Sequence, residues 1–586
     1  MKKLIKFFSF LIVICFWFNG SNYIYAISPS IQMNVNEPVS EGYKTTTMNQ
    51  EIIPYHEKDF KDNYKEAKKW ADENFEEWKK RLTSEQKELL KDDKNFEKMN
   101  SELEKFRNRT INDKTIIENI NLVDKALEDR SAKLNHSLYL YKNLTAEDLG
   151  YHSQHSFYEK GTLSINQTKF EHFKENFEYG VIHDFMNANL TQHQNTKTHP
   201  VLLRLEVPRG GNIGHLKDDG VFISRNQGFI VKSMSIINVK GQEVIKVNAQ
   251  LVPAADIYKK ITEVENNINQ KLSNIGKING KPVNLSINSF YSSFMANRSK
   301  ELSESLINQL GPQTQNSTLE NIINKMKKND SIIFTDNDMT VEGKGKKIKG
   351  EYDKQIKSLW VQINHYNHKL KINDDIHTLF REIGRASNDL LFNKQSQKEN
   401  FQKIYENEKS NIKIDKTIIK SSEEFFSGVF SYYFSIEKDK SDQIKKEAPD
   451  TSKFISNLLK EQNDFDGVKN YLIDYKILPQ NYITKKEATR LGWSKGKDLH
   501  KFAPGKSIGG DVYHNDGKWL PEKDGRIWYE VDINYNGGTS RGPKRILFSN
   551  DNESSGTVRE VTFIYKTENH YVTFDKLHER PANLNR

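Results

Sequence analysis

At 586 residues the chain is too long for one hydrophobic core, and its patterning divides it into three folded units. A single cysteine, Cys15, excludes a disulfide-stapled scaffold. Lys and Arg outnumber Asp and Glu by 88 to 79; the resulting net charge of +9 suits RNA or an anionic surface, but in so polar a chain its default meaning is a solvated exterior.

Met1 to Lys6, the apolar run Phe7 to Phe18 and then Ile24-Tyr25-Ala26 are the charged, apolar and small-residue parts of a secretory signal over residues 1–26. About a dozen apolar residues are too few to span a bilayer, and no other stretch is long enough. Cys15 would leave with the signal, so the exported chain would rely on its cores alone. Residues 27–55 are polar and lack hydrophobic periodicity, which reads as a flexible leader.

Ala67, Trp70, Ala71, Phe75, Trp78 and Leu82 fall at helical spacing as a core stripe, and Thr83 to Gln86 form a capping box for a helix from Glu85 to about Leu90. From Leu138 the pattern changes. Leu138–Leu144, Val201–Val207, Gly220–Ser224, Phe229–Val231 and Val244–Val252 read as strands, making residues 56–254 an α+β unit. Tyr141 to Leu144, Val201 to Pro208 and the final strands resemble the amino-terminal domain of the enzymatic component of binary ADP-ribosylating toxins. In that family an inactive copy of the transferase fold docks onto a pore-forming partner. Active members carry an arginine after the first aromatic, a Ser-Thr-Ser strand and a Glu-x-Glu loop. Here Lys142 replaces the arginine, Asn189-Leu-Thr191 lies near the second element, and Gln227 and Phe229 stand at the glutamate positions. The resemblance therefore implies a catalytically inactive docking domain.

Residues 255–460 read as mostly helical, interrupted by an exposed Lys- and Gly-rich loop at Val341–Lys347. Leu379 to Ala386 and Ser422 to Phe430 resemble the zinc helix and the downstream glutamate helix of the anthrax lethal factor fold. A zinc protease of that kind needs two imidazoles four residues apart with a glutamate beside the first. Here the imidazole positions are Arg381 and Arg385, while Glu382 and Glu424 persist. Guanidiniums stay protonated and cannot ligate zinc, so no metal is expected. His365, His368 and His377 offer no replacement pair and read as surface histidines. Glu382 to Gly384, Asn388 to Leu390, Phe425 to Phe430, Tyr432-Tyr433 and Ala448 to Asp450 follow the amino-terminal domains of lethal and edema factor, which bind the protective-antigen pore. Lys446-Glu447 replaces that family's Leu-Tyr pair, so the partner this implies is a related, protective-antigen-like pore oligomer. Contact with a target membrane would run only through that partner.

From residue 463, Phe465, Val468, Leu472 and Tyr475 make one helical stripe, and Thr484 to Glu487 is a capping box for a second helix ended by Gly492. In Ile527 to Tyr535 the odd positions are apolar, whereas Arg526, Trp528, Glu530, Asp532 and Asn534 share the other face, which aims Glu530 at a polar cleft. Asn536 to Pro543 is a hairpin connection from which Arg541 projects, leading to the strand Arg545–Ser549. Taken singly, each of these charged residues is more often a solvated surface group. Together with His570-Tyr571 they supply a carboxylate, two guanidiniums and an imidazole, a set suited to cleaving RNA without a metal.

The runs Phe465 to Val468, Leu478 to Lys485, Leu491 to Trp493, Ala503 to Asp511, Asp532 to Tyr535, Arg545 to Leu547 and Ile564 to Thr567, with His570-Tyr571, resemble the barnase-family ribonucleases over residues 463–580. The resemblance implies that Glu530 is the base and His570 the acid. Lys485, Arg541 and Arg545 would hold the phosphate, Asn515 and Tyr571 would touch substrate, and no cofactor is needed. Asp511 and Asp532 read as structural acceptors, and Trp493 and Trp528 as core or cleft wall. The family's Ser-Asn-Arg-Glu-Gly guanine loop is replaced by His514 to Lys518, so guanine preference should be weaker or altered, and the same departure would weaken inhibition by a barstar-like protein. Asp551 to Gly556 reads as a lengthened surface hairpin.

The expected architecture is thus a multidomain α+β chain. An inactive ADP-ribosyltransferase-like domain and a helical, inactive lethal-factor-like domain precede a microbial-ribonuclease fold of helices followed by an antiparallel sheet. The expected function is a secreted toxin cleaving single-stranded RNA in the cytoplasm of a target cell. Two alternatives stay open: an antibacterial ribonuclease with a barstar-like immunity protein, and a non-catalytic pore-binding decoy.

Overall fold

The computed structural model describes residues 57–91, 93–107, 113–146, 148–149, 154–192, 199–287, 290–311, 318–337, 339–341, 346–363, 372–550 and 561–580. The signal, the leader, His365, His368 and the hairpin insertion at Asp551–Gly556 lie outside the described residues.

The Trp stripe is buried as expected, but it belongs to two helices, Tyr64–Asn74 and Glu76–Arg81, that meet at Phe75. Thr83 and Gln86 make both capping hydrogen bonds, at 2.9 and 3.1 Å, ahead of the helix Ser84–Lys91. These helices pack on an eight-stranded sheet whose centre is Val201–Val207, parallel to Gln242–Pro253 on one side and antiparallel to Leu138–Leu144 on the other. The expected strands at Phe229–Val231 and Val244–Val252 are the inner parts of a much longer hairpin, Gln227–Val239 with Gln242–Pro253. Lys240 and Gly241, at φ of 51° and 88°, form its two-residue turn, the left-handed pair that matches the twist of the flanking strands.

The middle unit is less purely helical than its sequence suggests. Val283–Ser286, Ile332–Thr335 and Ser358–Gln362 run parallel, with Gly350–Asp353 antiparallel at the edge. Ile332–Thr335 and Ser358–Gln362 are buried at every position, so they lack the alternation that marks a half-exposed strand. The ends of the expected Lys- and Gly-rich loop are also strand: Met339–Val341 pairs with Lys346–Ile348. Around the sheet stand the long helices Ala254–Ser273, Ser292–Leu310, Ile372–Leu390 and Ser422–Tyr433.

The last unit is a six-stranded sheet in chain order, Tyr482–Ile483, Ser507–Tyr513, Ile527–Asp532, Arg545–Asn550, Val561–Thr567 and Asp575–Glu579, antiparallel except for the first pair. The Ile527 strand ends earlier than expected, because Asn534 takes a left-handed φ of 58° and sends Tyr535 into a separate cluster with Trp493 and Leu499. The helix Phe465–Tyr475 also departs from its expected single stripe. Val468 and Leu472 pack with Val531, Ile546 and Ile564 beneath the sheet. Tyr471 and Tyr475 point the other way, into the core of the middle unit. There the Tyr471 hydroxyl donates to the Leu458 carbonyl at 2.9 Å, and Gln395 Nε2 donates to the Tyr475 carbonyl at 2.6 Å. One helix therefore serves two cores. Tyr471→Ala, by analogy with other large-to-small core changes, is expected to cost about 3 kcal/mol of stability while leaving the cleft residues in place, which denaturation and RNA cleavage together would check.

Candidate functional site

The sheet face opposite the Phe465–Tyr475 helix gathers the candidate residues. In register, Asp511 lies opposite Glu530, and Asp532 opposite Arg545. Glu530 is only 8% exposed, yet each of its oxygens has a donor: the Lys485 ammonium on Oε1 and the Tyr571 hydroxyl on Oε2. Lys485 is placed there by its position as the first residue of the helix Lys485–Arg490, whose Thr484 and Glu487 form the expected capping box. Its backbone N–H donates to Asp511 at 2.9 Å, which ties the helix start to the sheet. Burial pushes the Glu530 carboxyl up, but the hydrogen bonds from Lys485 and Tyr571 outweigh it and hold the group below the ordinary glutamate value. Glu530 is therefore an anionic acceptor at neutral pH.

The two guanidiniums are organised by a second carboxylate. Arg541 Nη1 donates to both Asp532 oxygens at 3.0 and 3.1 Å, and Arg545 Nε stands 2.9 Å from Oδ1. Burial pushes Asp532 up to about 6 against the pull of both cations, so it remains ionised at neutral pH. Arg545 is 2% exposed, and its Nη1 donates to the carbonyls of Gly542 and Lys544 at 2.8 and 2.7 Å. It thus pins the Asn536–Pro543 connection as well as presenting charge. A lysine cannot reproduce that fork, so Arg545→Lys is expected to lose about 2 kcal/mol of stability together with most activity. Chemical denaturation and turnover, measured on one preparation, would test this.

His570 and Tyr571 occupy a turn in which both backbones are left-handed, at φ of 56° and 67°. His570 N–H donates to the Pro543 carbonyl at 3.2 Å, and Tyr571 N–H to Thr567 Oγ1 at 3.0 Å. The turn lays Tyr571 on Glu530 and leaves His570 exposed, its ring centroid 5.0 Å from that of Tyr571. The structure therefore brings Lys485, Glu530 and Tyr571 into direct contact, joins Arg541 and Arg545 through Asp532, and sets His570 against Tyr571. Asn515 is placed differently: its side chain donates to the Leu520 carbonyl at 2.8 Å and accepts the Leu520 N–H at 3.1 Å, so both ends are committed to closing its own loop. Asp511 and Asp532 are the structural acceptors that the sequence reading expects, Asp511 taking the Lys485 N–H and Asp532 pairing with both guanidiniums.

In the middle unit Arg381 Nη2 donates to Glu424 at 2.6 Å, and Arg385 Nη2 donates to both Glu424 oxygens at 2.7 and 2.8 Å. Arg385 Nη1 donates to the buried Glu382. Two cations and two carboxylates thus stand at the positions where the resembled zinc proteases hold their metal. Among the described residues no group of three or more His, Cys, Asp and Glu is arranged to hold one. His377 is not the surface histidine expected: it is largely buried, with Nδ1 3.2 Å from Ser431 Oγ, and burial lowers its pKa.

In the first unit Lys142 is half-buried and donates to the Asn187 carbonyl at 3.0 Å; desolvation pulls its pKa down. Asn189 lies opposite Tyr141, and Thr191 donates to Asp219. Gln227 opens the long hairpin strand. Phe229 is core, its ring 4.6 Å from Phe290 and 5.4 Å from Phe177. A hydrocarbon ring in that packing leaves no carboxylate at either glutamate position.

Three family models match the chain: ADP-ribosyltransferase exoenzyme at residues 67–253, anthrax toxin lethal factor, N- and C-terminal domain, at 298–458, and ribonuclease at 467–578. Over 117 residues the chain is 50% identical to a ribonuclease of Heyndrickxia coagulans, covering 20% of this chain and 96% of that protein. It is also 50% identical over 117 residues to a ribonuclease of Bacillus intermedius, again 20% of this chain but 65% of that protein, just under two thirds of its length. It is 23% identical over 351 residues to lethal factor of Bacillus anthracis, 56% of this chain and 42% of that protein. Through its carboxy-terminal unit the chain belongs to the ribonuclease family, and that unit follows two domains of toxin type.

Proposed function

We propose that the chain is a secreted toxin whose carboxy-terminal domain is an endoribonuclease acting on single-stranded RNA. The observation that carries this reading is the Glu530 cluster: an ionised, nearly buried carboxylate beside Lys485, with two anchored guanidiniums and an exposed imidazole on the same face. Glu530 takes the proton of the RNA 2′-hydroxyl as that oxygen attacks phosphorus. His570 donates a proton to the departing 5′-oxygen, leaving a 2′,3′-cyclic phosphate. Lys485, Arg541 and Arg545 stabilise the charge that builds on the phosphorane. Incubating the protein with a defined oligoribonucleotide and with its 2′-deoxy counterpart tests this. Cleavage of the ribo strand alone, with a cyclic phosphate product, is expected; cleavage of both strands would rule out attack by the 2′-hydroxyl.

The two upstream domains are proposed to dock the chain onto a protective-antigen-like pore oligomer, which passes the nuclease into the cytoplasm of a target cell. What supports this is the pairing of two toxin-type domains, each with its ancestral site refilled: Arg381 and Arg385 in one, Gln227 and Phe229 in the other. Among the described residues no helix is long and apolar enough to cross a membrane. Co-sedimentation with such an oligomer at neutral and mildly acidic pH checks the route, and no binding under either condition would remove it.

A further inference from the structure

We propose that the Trp519 indole is a stacking platform for an unpaired base of the bound RNA, making base choice a matter of ring stacking rather than of hydrogen bonds to a base edge. The inference rests on the ribonuclease reading of the same cleft. Trp519 is 68% exposed, whereas Trp493 and Trp528 of the same domain are 5% and 4% exposed, so its ring is not part of the core. Nor does it hang on a loose loop. The Asn515 side chain clasps Leu520 from both ends, the Lys518 N–H donates to the Asn515 carbonyl at 2.9 Å, and Lys518 holds a left-handed φ of 53°. The indole lies against Gly517 so closely that a methyl added there would stand 2.0 Å from the ring nitrogen. Gly517 is thus what lets the ring lie on the loop.

The loop is continuous with the cleft. It joins Ser507–Tyr513 to Ile527–Asp532, the strands that bear Asp511 and Glu530. Tyr513, at the loop's start, stacks on Tyr571 with centroids 5.3 Å apart and planes at 23°, and the Tyr571 hydroxyl is the one on Glu530. An aromatic surface therefore runs from the carboxylate to the foot of the loop that carries Trp519. At the two loop positions Asn515 and Gly517 no side chain is left to read a base edge: the Asn515 amide is engaged with Leu520, and Gly517 has no side chain, while Asp516 is the one carboxylate between His514 and Lys518. A π face accepts any base, and Lys518 and Arg526 supply positive charge nearby for the backbone.

The test compares wild type, Trp519→Ala and Trp519→Phe in two measurements on the intact chain: cleavage of short RNAs differing only in the base beside the scissile bond, and anisotropy binding of a non-cleavable 2′-deoxy oligonucleotide. Trp519→Ala is expected to lower kcat/KM about tenfold or more on all the RNAs, mainly through KM, and to weaken oligonucleotide binding by a similar factor. Trp519→Phe should recover most of both, and the melting temperature should not move, because the ring is exposed. Wild-type values for Trp519→Ala in both measurements would overturn the inference, as would a loss confined to guanine-containing substrates. If wild type binds the oligonucleotide through Trp519 but cleaves no RNA, the stacking site stands and the ribonuclease reading falls.

Discussion

Glu530→Gln is expected to lower kcat for RNA cleavage by about a hundred- to ten-thousandfold, with little change in KM. The amide keeps the shape of the carboxylate and one acceptor for Lys485, but it cannot take a proton from the 2′-hydroxyl. His570→Ala should fall by a similar factor for the opposite reason, the loss of the acid. The pH profile adds a sharper criterion. Hydrogen bonds from Lys485 and Tyr571 hold the Glu530 carboxyl below the ordinary glutamate value, so the acid limb of kcat/KM should lie below that value too. Lys485→Ala removes the stronger support and leaves burial to dominate, which should move the acid limb to higher pH. Linkage gives the matching stability statement. A carboxylate with a depressed folded-state pKa stabilises the fold above its unfolded value, and that contribution is lost as pH falls through the depressed one. Wild-type turnover in both Glu530→Gln and His570→Ala would show that the catalytic groups lie elsewhere.

The second large effect concerns a site with no chemistry left. Glu424→Ala removes the acceptor shared by Arg381 and Arg385, leaving Arg385 with the buried Glu382 and Arg381 with Thr417 and the more distant Asp415. Breaking a buried network from one side is expected to destabilise the middle unit by about 3 kcal/mol, because charges that have lost their main partner stay desolvated. The two arginines are about four-fifths buried, so solvent screening does not reduce this to the value of a surface pair. Equilibrium denaturation followed by a probe of the middle unit measures it. A loss below about 1 kcal/mol would mean that water reaches the cluster and the pairs act as surface bridges.

How far these features could be read in advance depended on where each residue's partners lie. The face of Glu530 followed from strict alternation along its strand, and the Lys485 helix from a local capping box; both signals are complete within a few residues. The Arg381 and Arg385 substitutions were legible because a guanidinium cannot ligate zinc in any geometry. The parallel strands Ile332–Thr335 and Ser358–Gln362 were missed because burial on both faces erases their period. The long hairpin was clipped because Lys232, Ser233 and Ser235 interrupt its apolar run, although Lys240-Gly241 marked the turn. Asn515 was assigned to substrate through the resemblance of its loop to the family's guanine loop. The bonds of its side chain to Leu520 are fixed by the way the loop closes, which no periodicity records.

The helix Phe465–Tyr475, apolar on two sides, also makes the boundary between the last two domains a mechanical joint rather than a tether. If the proposed passage through a pore pulls on the chain from its amino terminus, the load would meet Tyr471 and Tyr475 in the middle core as well as Val468 and Leu472 under the nuclease sheet. Drawing out the middle unit would then strain the helix that backs the nuclease sheet, and activity after passage would require that helix to repack against Val531 and Ile564.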